Sequence, residues 1–205
     1  MARLAAVRSK PMRIIAGKHR GLSLATPKDQ RVRPTSDRVR EALFNVLAHN
    51  DFGISFSLVG ARVLDLFAGT GALGLEALSR GAKFVMFVDD HFESRALIRT
   101  NVEAAHATGS TKLWRRDATA LSDIPANAGG AFDLVFLDPP YRQQLVEKAL
   151  ASALSGSWLS RQCLVAAEMA ADEEFQLPQG FHELDARQYG DTQVRLLTND
   201  AGSNG

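Results

Sequence analysis

The sequence contains a single cysteine, Cys163, so it cannot form an intramolecular disulfide bond. Because Cys163 lies in the apolar run 163–167, we predict a buried strand thiol rather than a nucleophile. No apolar run approaches the roughly 18 residues that a membrane span requires. No apolar segment of a secretory signal follows the first arginines. These absences predict a cytoplasmic protein without a membrane partner.

Strong compositional bias is also absent, because 45% of the 205 residues are hydrophobic and 23% are charged. The chain therefore fits one globular domain with a buried core. Its formal net charge of +1 conceals an asymmetry: residues 1–40 hold eleven Lys/Arg and two acids, a net +9, and the remainder carries −8. A basic segment on an acidic body indicates a polyanionic partner. Residues 1–11 also fit a disordered tail or a transit peptide.

Short apolar strands alternate with amphipathic helices from residue 60 onward, which predicts a mostly parallel sheet with helices on both faces. The predicted strands are 63–67, 84–88, 112–116, 133–137 and 163–168, and the predicted helices are 72–80, 94–108 and 144–154. Before them, apolar segments flank a basic turn at 17–21 and predict a β-hairpin, and Ser36 or Asp37 caps a helix to about residue 50. After them, segments 181–189 and 192–198 predict an antiparallel pair. The expected divisions are a flexible basic leader (1–11), a basic hairpin and loop (12–35), the main domain (36–198) and a disordered tail (199–205).

A glycine-rich turn follows the first predicted strand. Gly69, Gly71 and Gly74 fit the spacing G-x-G-x-x-G, and Asp89 ends the next strand twenty residues after Gly69. Read literally, this is a dinucleotide-binding pattern. A carboxylate at Asp65, just before the turn, would repel a pyrophosphate and attract a cationic amino group. The loop therefore favours S-adenosylmethionine over a nicotinamide cofactor.

Acidic residues also follow the second and third predicted strands. Asp89 is preferred over Asp90 for the cofactor ribose, because it comes directly after the strand, whereas Asp90 can cap the next helix. Asp117, or the amide of Ala118, can meet an adenine edge, although Asp117 is equally suited to forming a turn.

The fourth strand leads into Asp138-Pro139-Pro140-Tyr141. Consecutive prolines fix a rigid, extended exit from the sheet, which presents Asp138 and the Pro139 carbonyl as acceptors. Two acceptors beside an aromatic ring suit a planar NH₂ group on a heterocycle. Open α/β sheets bind ligands at the carboxyl ends of their strands, where this tetrapeptide lies.

This tetrapeptide resembles the (Asp/Asn)-Pro-Pro-(Tyr/Phe/Trp) motif of S-adenosylmethionine-dependent amino methyltransferases, and segment 65–74 resembles their first motif. Segments 12–17, 33–45 and 189–192 are similar to the RsmD family, bacterial enzymes that methylate the exocyclic N2 of one guanine in 16S ribosomal RNA. The similarity extends from Met12 to Thr198.

The resemblance implies a Rossmann-like class I methyltransferase fold: a seven-stranded, mostly parallel sheet with an antiparallel C-terminal pair and an N-terminal hairpin appendage. It implies a monomer that binds S-adenosyl-L-methionine, needs no metal and acts on 16S rRNA or the assembling small ribosomal subunit. The expected residues are Asp138, Pro139 and Tyr141 for catalysis, Asp65, Gly69, Gly71, Asp89, Asp117 and Ala118 for the cofactor, and Lys18, Arg20, Arg33, Arg38 and Arg40 for RNA. Arg38 and Arg40 could instead contact the cofactor carboxylate or pair with Glu41.

Three other functions are compatible with parts of this pattern. An amino methyltransferase acting on DNA adenine or protein glutamine could use the same tetrapeptide, although glutamine enzymes more typically carry Asn in place of Asp138. A non-catalytic RNA-binding assembly factor could retain the fold. An NAD-dependent oxidoreductase is disfavoured by Asp65 and by the lack of an obvious hydride-transfer site.

Overall fold

The computed structural model describes residues 12–27 and 37–199. The helices are α1 (Asp37–His49), α2 (Ala72–Ser79), α3 (Phe92–Ala104) and α4 (Leu145–Ser155). The strands are β1 (Arg62–Leu66), β2 (Phe84–Val88), β3 (Thr111–Trp114), β4 (Phe132–Leu137), β5 (Leu159–Ala170), β6 (Phe181–Tyr189) and β7 (Thr192–Asn199). The predicted flexible leader (1–11), the loop at 28–36 and residues 200–205 of the predicted disordered tail lie outside the described residues.

All seven strands form one sheet in the order β3-β2-β1-β4-β5-β7-β6. The first five strands are parallel, and β7 runs antiparallel to both β5 and β6. The sequence predicted this mixed architecture. It did not predict that β7 lies between β5 and β6, which places the turn between the last two strands beside the end of β5.

Alternate residues along the strands face two separate apolar cores. Val63 of β1 and Phe136 of β4 pack with α1, α2, α3 and the hairpin on one face. Leu64 and Leu137 pack with α4 and Trp158 on the other. Because strands covered on both faces are apolar throughout, the one acid inside β1, Asp65, stands out.

Within the described residues, no helix is both long and apolar enough to cross a bilayer.

The predicted N-terminal hairpin is present and is anchored in the main core. Its two arms pair through Arg13 and Ser23, and Ile14 is buried beneath them. Glu76 of α2 is fully buried and accepts hydrogen bonds from the amides of Ile15 (2.7 Å) and Ala16 (3.0 Å). A buried carboxylate requires such partners, so α2 fixes the position of the hairpin.

The hairpin also contacts α2 and α3 at its two ends. At its tip, the Lys18 amide donates to the Ser79 carbonyl (2.7 Å) at the end of α2. At its base, the Ala25 amide donates to Asn101 Oδ1 of α3 (2.7 Å), and Asn101 Nδ2 donates to the Thr70 carbonyl (2.9 Å). The hairpin therefore runs along α2, from the glycine turn to the far end of the helix.

The structure corrects several bounds of the sequence-based prediction, among them the helix predicted at 94–108, which is Phe92–Ala104, and the strand predicted at 163–168, which is Leu159–Ala170. Asn199 does not begin a disordered tail: it is a buried residue of β7 whose side chain accepts from the Cys163 amide (2.7 Å) and donates to the Ser160 carbonyl (3.0 Å). The third strand ends at Trp114 rather than at Arg116. Cys163 is buried in β5, as predicted, and burial raises the pKa of its thiol.

Candidate active site

The glycine turn joins β1 to α2 and is held by Asp65. Gly71 adopts a left-handed conformation (φ 77°) immediately before the helix, a geometry that glycine reaches without strain. Asp65 Oδ2 accepts a hydrogen bond from the Gly74 amide (2.9 Å). A Cβ at position 74 would lie 2.4 Å from the ring of Phe87, so the third glycine allows α2 to pack closely on β2. Asp65 therefore fixes the start of the helix.

Asp89 holds the other side of the same turn. Its Oδ2 accepts from the Gly69 amide (2.9 Å) and its Oδ1 from the His91 amide (2.9 Å), and the side chain is largely buried. Asp90 is exposed and pairs with the imidazole of His91 (3.5 Å). Asp89 therefore lies directly against the glycine turn, and its assignment to the ribose stays a prediction. Each oxygen of Asp89 retains lone-pair capacity for a ligand hydroxyl.

Three carboxyl groups converge at this edge of the sheet. Burial raises the pKa of Asp65 well above its usual value; the Gly74 amide opposes this shift, and the charges of Asp138 and Asp89 add to it. The nearby Arg95 donates to the main-chain carbonyls of Asp89 and Asp90 rather than to these carboxylates. The charges of Asp89 and Asp138 at this edge attract a cationic ligand and repel a phosphate.

Asp117, after the third strand, forms a local turn with Thr119. Its exposed carboxylate accepts from the amide (2.8 Å) and the hydroxyl (2.7 Å) of Thr119, and these bonds lower the pKa of Asp117. This is the turn-forming role that the sequence left open. The neighbouring Ala118 is buried, and its amide remains the better candidate for an adenine contact.

The tetrapeptide leaves the end of β4 beside this acidic edge. Asp138 is half-buried, Pro139 is buried and Pro140 is exposed. The Tyr141 hydroxyl donates to Glu168 Oε1 of β5 (2.8 Å) and lies 3.2 Å from Thr192 Oγ1 of β7, while the residue as a whole stays 37% exposed. Burial is the main reason that the pKa of Tyr141 is raised, so the phenol stays neutral and acts as a donor.

The predicted RNA-binding residues are spread over the hairpin and α1. Lys18 and Arg20 are exposed at the hairpin tip, and Arg38 is exposed at the start of α1. Because the tip contacts the far end of the eight-residue α2, it lies about 12 Å from the glycine turn. Arg33 lies outside the described residues.

Arg40 does not belong to this exposed set. It is 1% exposed, and its Nη2 donates to the Arg13 carbonyl (2.7 Å) and to Asp37 Oδ1 (2.7 Å). Arg40 therefore ties α1 to the hairpin. Among the described residues, its acidic partner is Asp37 rather than Glu41.

Sequence reasoning missed three residues that the structure connects to the site. Glu168 and Thr192 contact Tyr141, and Asn101 joins the hairpin base to the glycine turn. The available signal for Glu168 was an acidic residue at the end of an apolar strand, the same pattern as Asp89 and Asp138. Thr192 lies in the segment 189–192 that resembles the RsmD family, where it had no assigned role.

The residues present suit S-adenosylmethionine. The acidic edge complements its sulfonium and ammonium charges, and the glycine turn allows close approach of a ligand to the backbone. Asp65 and Asp89 support the turn, and Asp89 is the residue predicted to bind the ribose. The fold and this edge together define a Rossmann-like class I methyltransferase domain.

Comparison with known proteins identifies the family. The family model described as conserved hypothetical protein 95, which corresponds to the RsmD family, matches residues 12–198, and the chain belongs to this family. The chain is 38% identical to ribosomal RNA small subunit methyltransferase D of Escherichia coli over 161 residues, covering 78% of this chain and 75% of the relative. It is 32% identical to the protein of the same name from Haemophilus influenzae over 189 residues, covering 92% and 94%. The solved structure of yhhF from Escherichia coli, a candidate methyltransferase, superposes with a TM-score of 0.76 at 29% identity, covering 94% of this chain and 100% of that one.

Proposed function

We propose that this protein transfers a methyl group from S-adenosyl-L-methionine to the exocyclic N2 of a guanine in 16S rRNA. The observation that carries the proposal is the position of Asp138-Pro139-Pro140-Tyr141 at the end of β4, beside the acidic edge formed with Asp65 and Asp89. The names of the Escherichia coli and Haemophilus influenzae relatives support a small-subunit rRNA substrate.

The chemistry assigned to Asp138 follows from the weakness of the nucleophile. The lone pair of guanine N2 is delocalised into the ring. Hydrogen bonds from this amine to the Asp138 carboxylate and the Pro139 carbonyl favour tetrahedral nitrogen and stabilise the positive charge that develops on it. S-adenosylmethionine supplies the electrophilic methyl group. One N2 proton leaves after the transfer, to Asp138 or to water.

Tyr141 and the basic surface are assigned to the RNA. A guanine N2 becomes reachable when its base is unstacked or already lies in a loop. The partly exposed ring of Tyr141 stacks on this base, a contact worth roughly 1–3 kcal/mol. Lys18, Arg20 and Arg38 contact phosphates, with the hairpin tip reaching nucleotides beyond the target base.

The test supplies tritiated methyl donor to the purified full chain together with methyl-deficient small subunits, free rRNA, DNA or protein. Nucleoside and amino-acid analysis then identifies the labelled product. Label in N2-methylguanosine from 16S rRNA supports the proposal. Label in methyladenine of DNA or in protein glutamine would replace it with another amino methyltransferase, and binding of RNA without any transfer would indicate an assembly factor.

Reversing the charge of the hairpin tip should weaken RNA binding. The double variant Lys18→Glu/Arg20→Glu is expected to lower RNA affinity and to reduce the slope of log affinity against log salt by about two. Both side chains are exposed, so methyl-donor affinity, measured by calorimetry, should stay unchanged. The matched control, Lys148→Glu/Arg161→Glu, makes the same change in net charge at other exposed positions. An equal loss in both variants would show that only net charge matters.

A further inference from the structure

We propose that Glu168 and Thr192 are positioning residues that hold the Tyr141 ring against the target base. The Glu168 and Thr192 side chains together form the Tyr141 seat. The inference rests on the proposed methyl transfer and extends it. It adds to the active site the C-terminal hairpin, which is formed by β6 and β7 and whose turn precedes Thr192.

The sheet register brings the two members of the seat together. Glu168 in β5 pairs with Val194 in β7, and Ala170 pairs with Thr192. Glu168 and Thr192 are therefore diagonal neighbours on one face of an antiparallel pair, within reach of each other's partners. On the other side of β5, Leu137 of β4 pairs with Ala167, and Asp138 and Glu168 are the residues that follow this pair in their own chain segments.

The number of available protons determines the direction of the two hydrogen bonds at the Tyr141 hydroxyl. The Tyr141 hydroxyl carries one proton, which it donates to the Glu168 carboxylate at 2.8 Å. A carboxylate only accepts, so the Thr192 hydroxyl is the donor to the Tyr141 oxygen at 3.2 Å. Glu168 is 7% exposed, and a bond to a buried carboxylate is stronger than one in water. The phenol is thus held from two strands while its ring stays partly exposed.

Neighbouring contacts tether the same loop to the chain after β5. The Arg142 amide donates to Glu173 Oε1 (2.8 Å), and the Arg142 guanidinium binds both oxygens of Asp172 (3.0 and 2.9 Å). The Ala171 amide in turn donates to the Asp191 carbonyl (2.9 Å) in the C-terminal turn. The catalytic loop, the end of β5 and this turn therefore form one connected unit.

The reason for such a unit is the precision that methyl transfer demands. A reacting nitrogen must be aligned with the methyl group, and a small misplacement lowers the rate strongly. Pro139 and Pro140 fix the backbone before the ring but leave the Tyr141 side-chain torsions unconstrained. The Tyr141 seat supplies that constraint.

The decisive experiment is a double-mutant cycle on methyl transfer to the RNA substrate. Thr192→Val keeps the shape of the side chain and removes the donor, so kcat should fall about fivefold, the value of one ordinary hydrogen bond. In a Tyr141→Phe background, the same substitution should cause no further loss, because Thr192 acts only through the phenol. Thr192→Ser should restore the rate, and methyl-donor affinity should stay unchanged in all variants.

Gln188→Ala is the matched control in the C-terminal hairpin, since Gln188 Nε2 donates to the Gly190 carbonyl and makes no bond to Tyr141. It should leave kcat unchanged. Equal, additive losses from Thr192→Val in both backgrounds would overturn the proposal, because they would show a general structural role.

Hydrogen–deuterium exchange tests the seat without relying on catalysis. Thr192→Val and Glu168→Leu should speed exchange at the amides of Tyr141 and Arg142 but not in β1 or β2. Unchanged exchange in both variants would overturn the proposal. If the wild-type chain methylates nothing, the proposed function fails, whereas the exchange result still decides whether Glu168 and Thr192 hold the loop.

Discussion

Asp138→Ala should lower kcat for methyl transfer about a hundred- to a thousandfold, the typical effect of removing one group that stabilises charge in a transition state. The half-buried carboxylate ends β4 beside the glycine turn. It is assigned to the amine, whereas Asp65 and Asp89 hold the glycine turn through the Gly74 and Gly69 amides. Methyl-donor affinity, measured by calorimetry, should therefore be retained.

Asp138→Asn is the matched control for this loss. The amide oxygen still accepts a hydrogen bond in the same place, but the negative charge is gone. Because charge-assisted bonds are about twice as strong as neutral ones, a smaller loss of about tenfold is expected. An Asp138→Ala enzyme that binds the donor and methylates at the wild-type rate would remove Asp138 from the mechanism.

The alternation of strands and helices could be predicted because each element has a local signal. The strand predicted at 84–88 has the same bounds in the structure, and the glycine turn is followed by α2 as its spacing indicated. The position of β7 between β5 and β6 has no local signal, because it depends on which edges pair after the chain has collapsed. The contact between Tyr141 and Thr192 follows from that pairing, so it was not predictable either.

Arg40 shows a different kind of error, one that the sequence could have prevented. Arg40 lies three, four and seven residues before Leu43, Phe44 and Leu47, which are all buried on α1. This spacing puts Arg40 on the buried face of the helix. The basic composition of the first forty residues suggests a surface role for Arg40, but its position in the helical period determines that it is buried.

Asp65 shows that residue type and strand position do not by themselves determine what a carboxylate binds. An acid at the end of β1 was expected to meet the amino group of the ligand. In the structure it is 2% exposed and accepts from the Gly74 amide. The same sequence pattern fits a strand carboxylate that accepts a hydrogen bond from a backbone amide and one that binds a ligand. The partner of Asp65 is decided by how closely α2 packs, which the Gly74 contact with Phe87 sets.

Gly17→Ala should destabilise the protein by about 2–5 kcal/mol and detach the hairpin tip from α2. Gly17 has a φ of +80°, and a Cβ there would lie 1.8 Å from the Ser79 carbonyl oxygen. The left-handed conformation alone costs roughly 1–2 kcal/mol with a side chain, and the clash adds about 1–3 kcal/mol of overpacking. Urea unfolding measures the change in the free energy of unfolding.

Gly21→Ala separates the two costs, because Gly21 has nearly the same φ of +87° but no atom within 4 Å of the added Cβ. Its expected cost is only the conformational one, roughly 1–2 kcal/mol. If docking of the tip on α2 positions Lys18 and Arg20 for RNA, Gly17→Ala should also weaken RNA binding more than Gly21→Ala does, with methyl-donor affinity retained in both. Equal destabilisation by the two substitutions would mean that the tip does not rest on Ser79 in solution, and the hairpin would then act as a mobile basic arm rather than as a fixed surface.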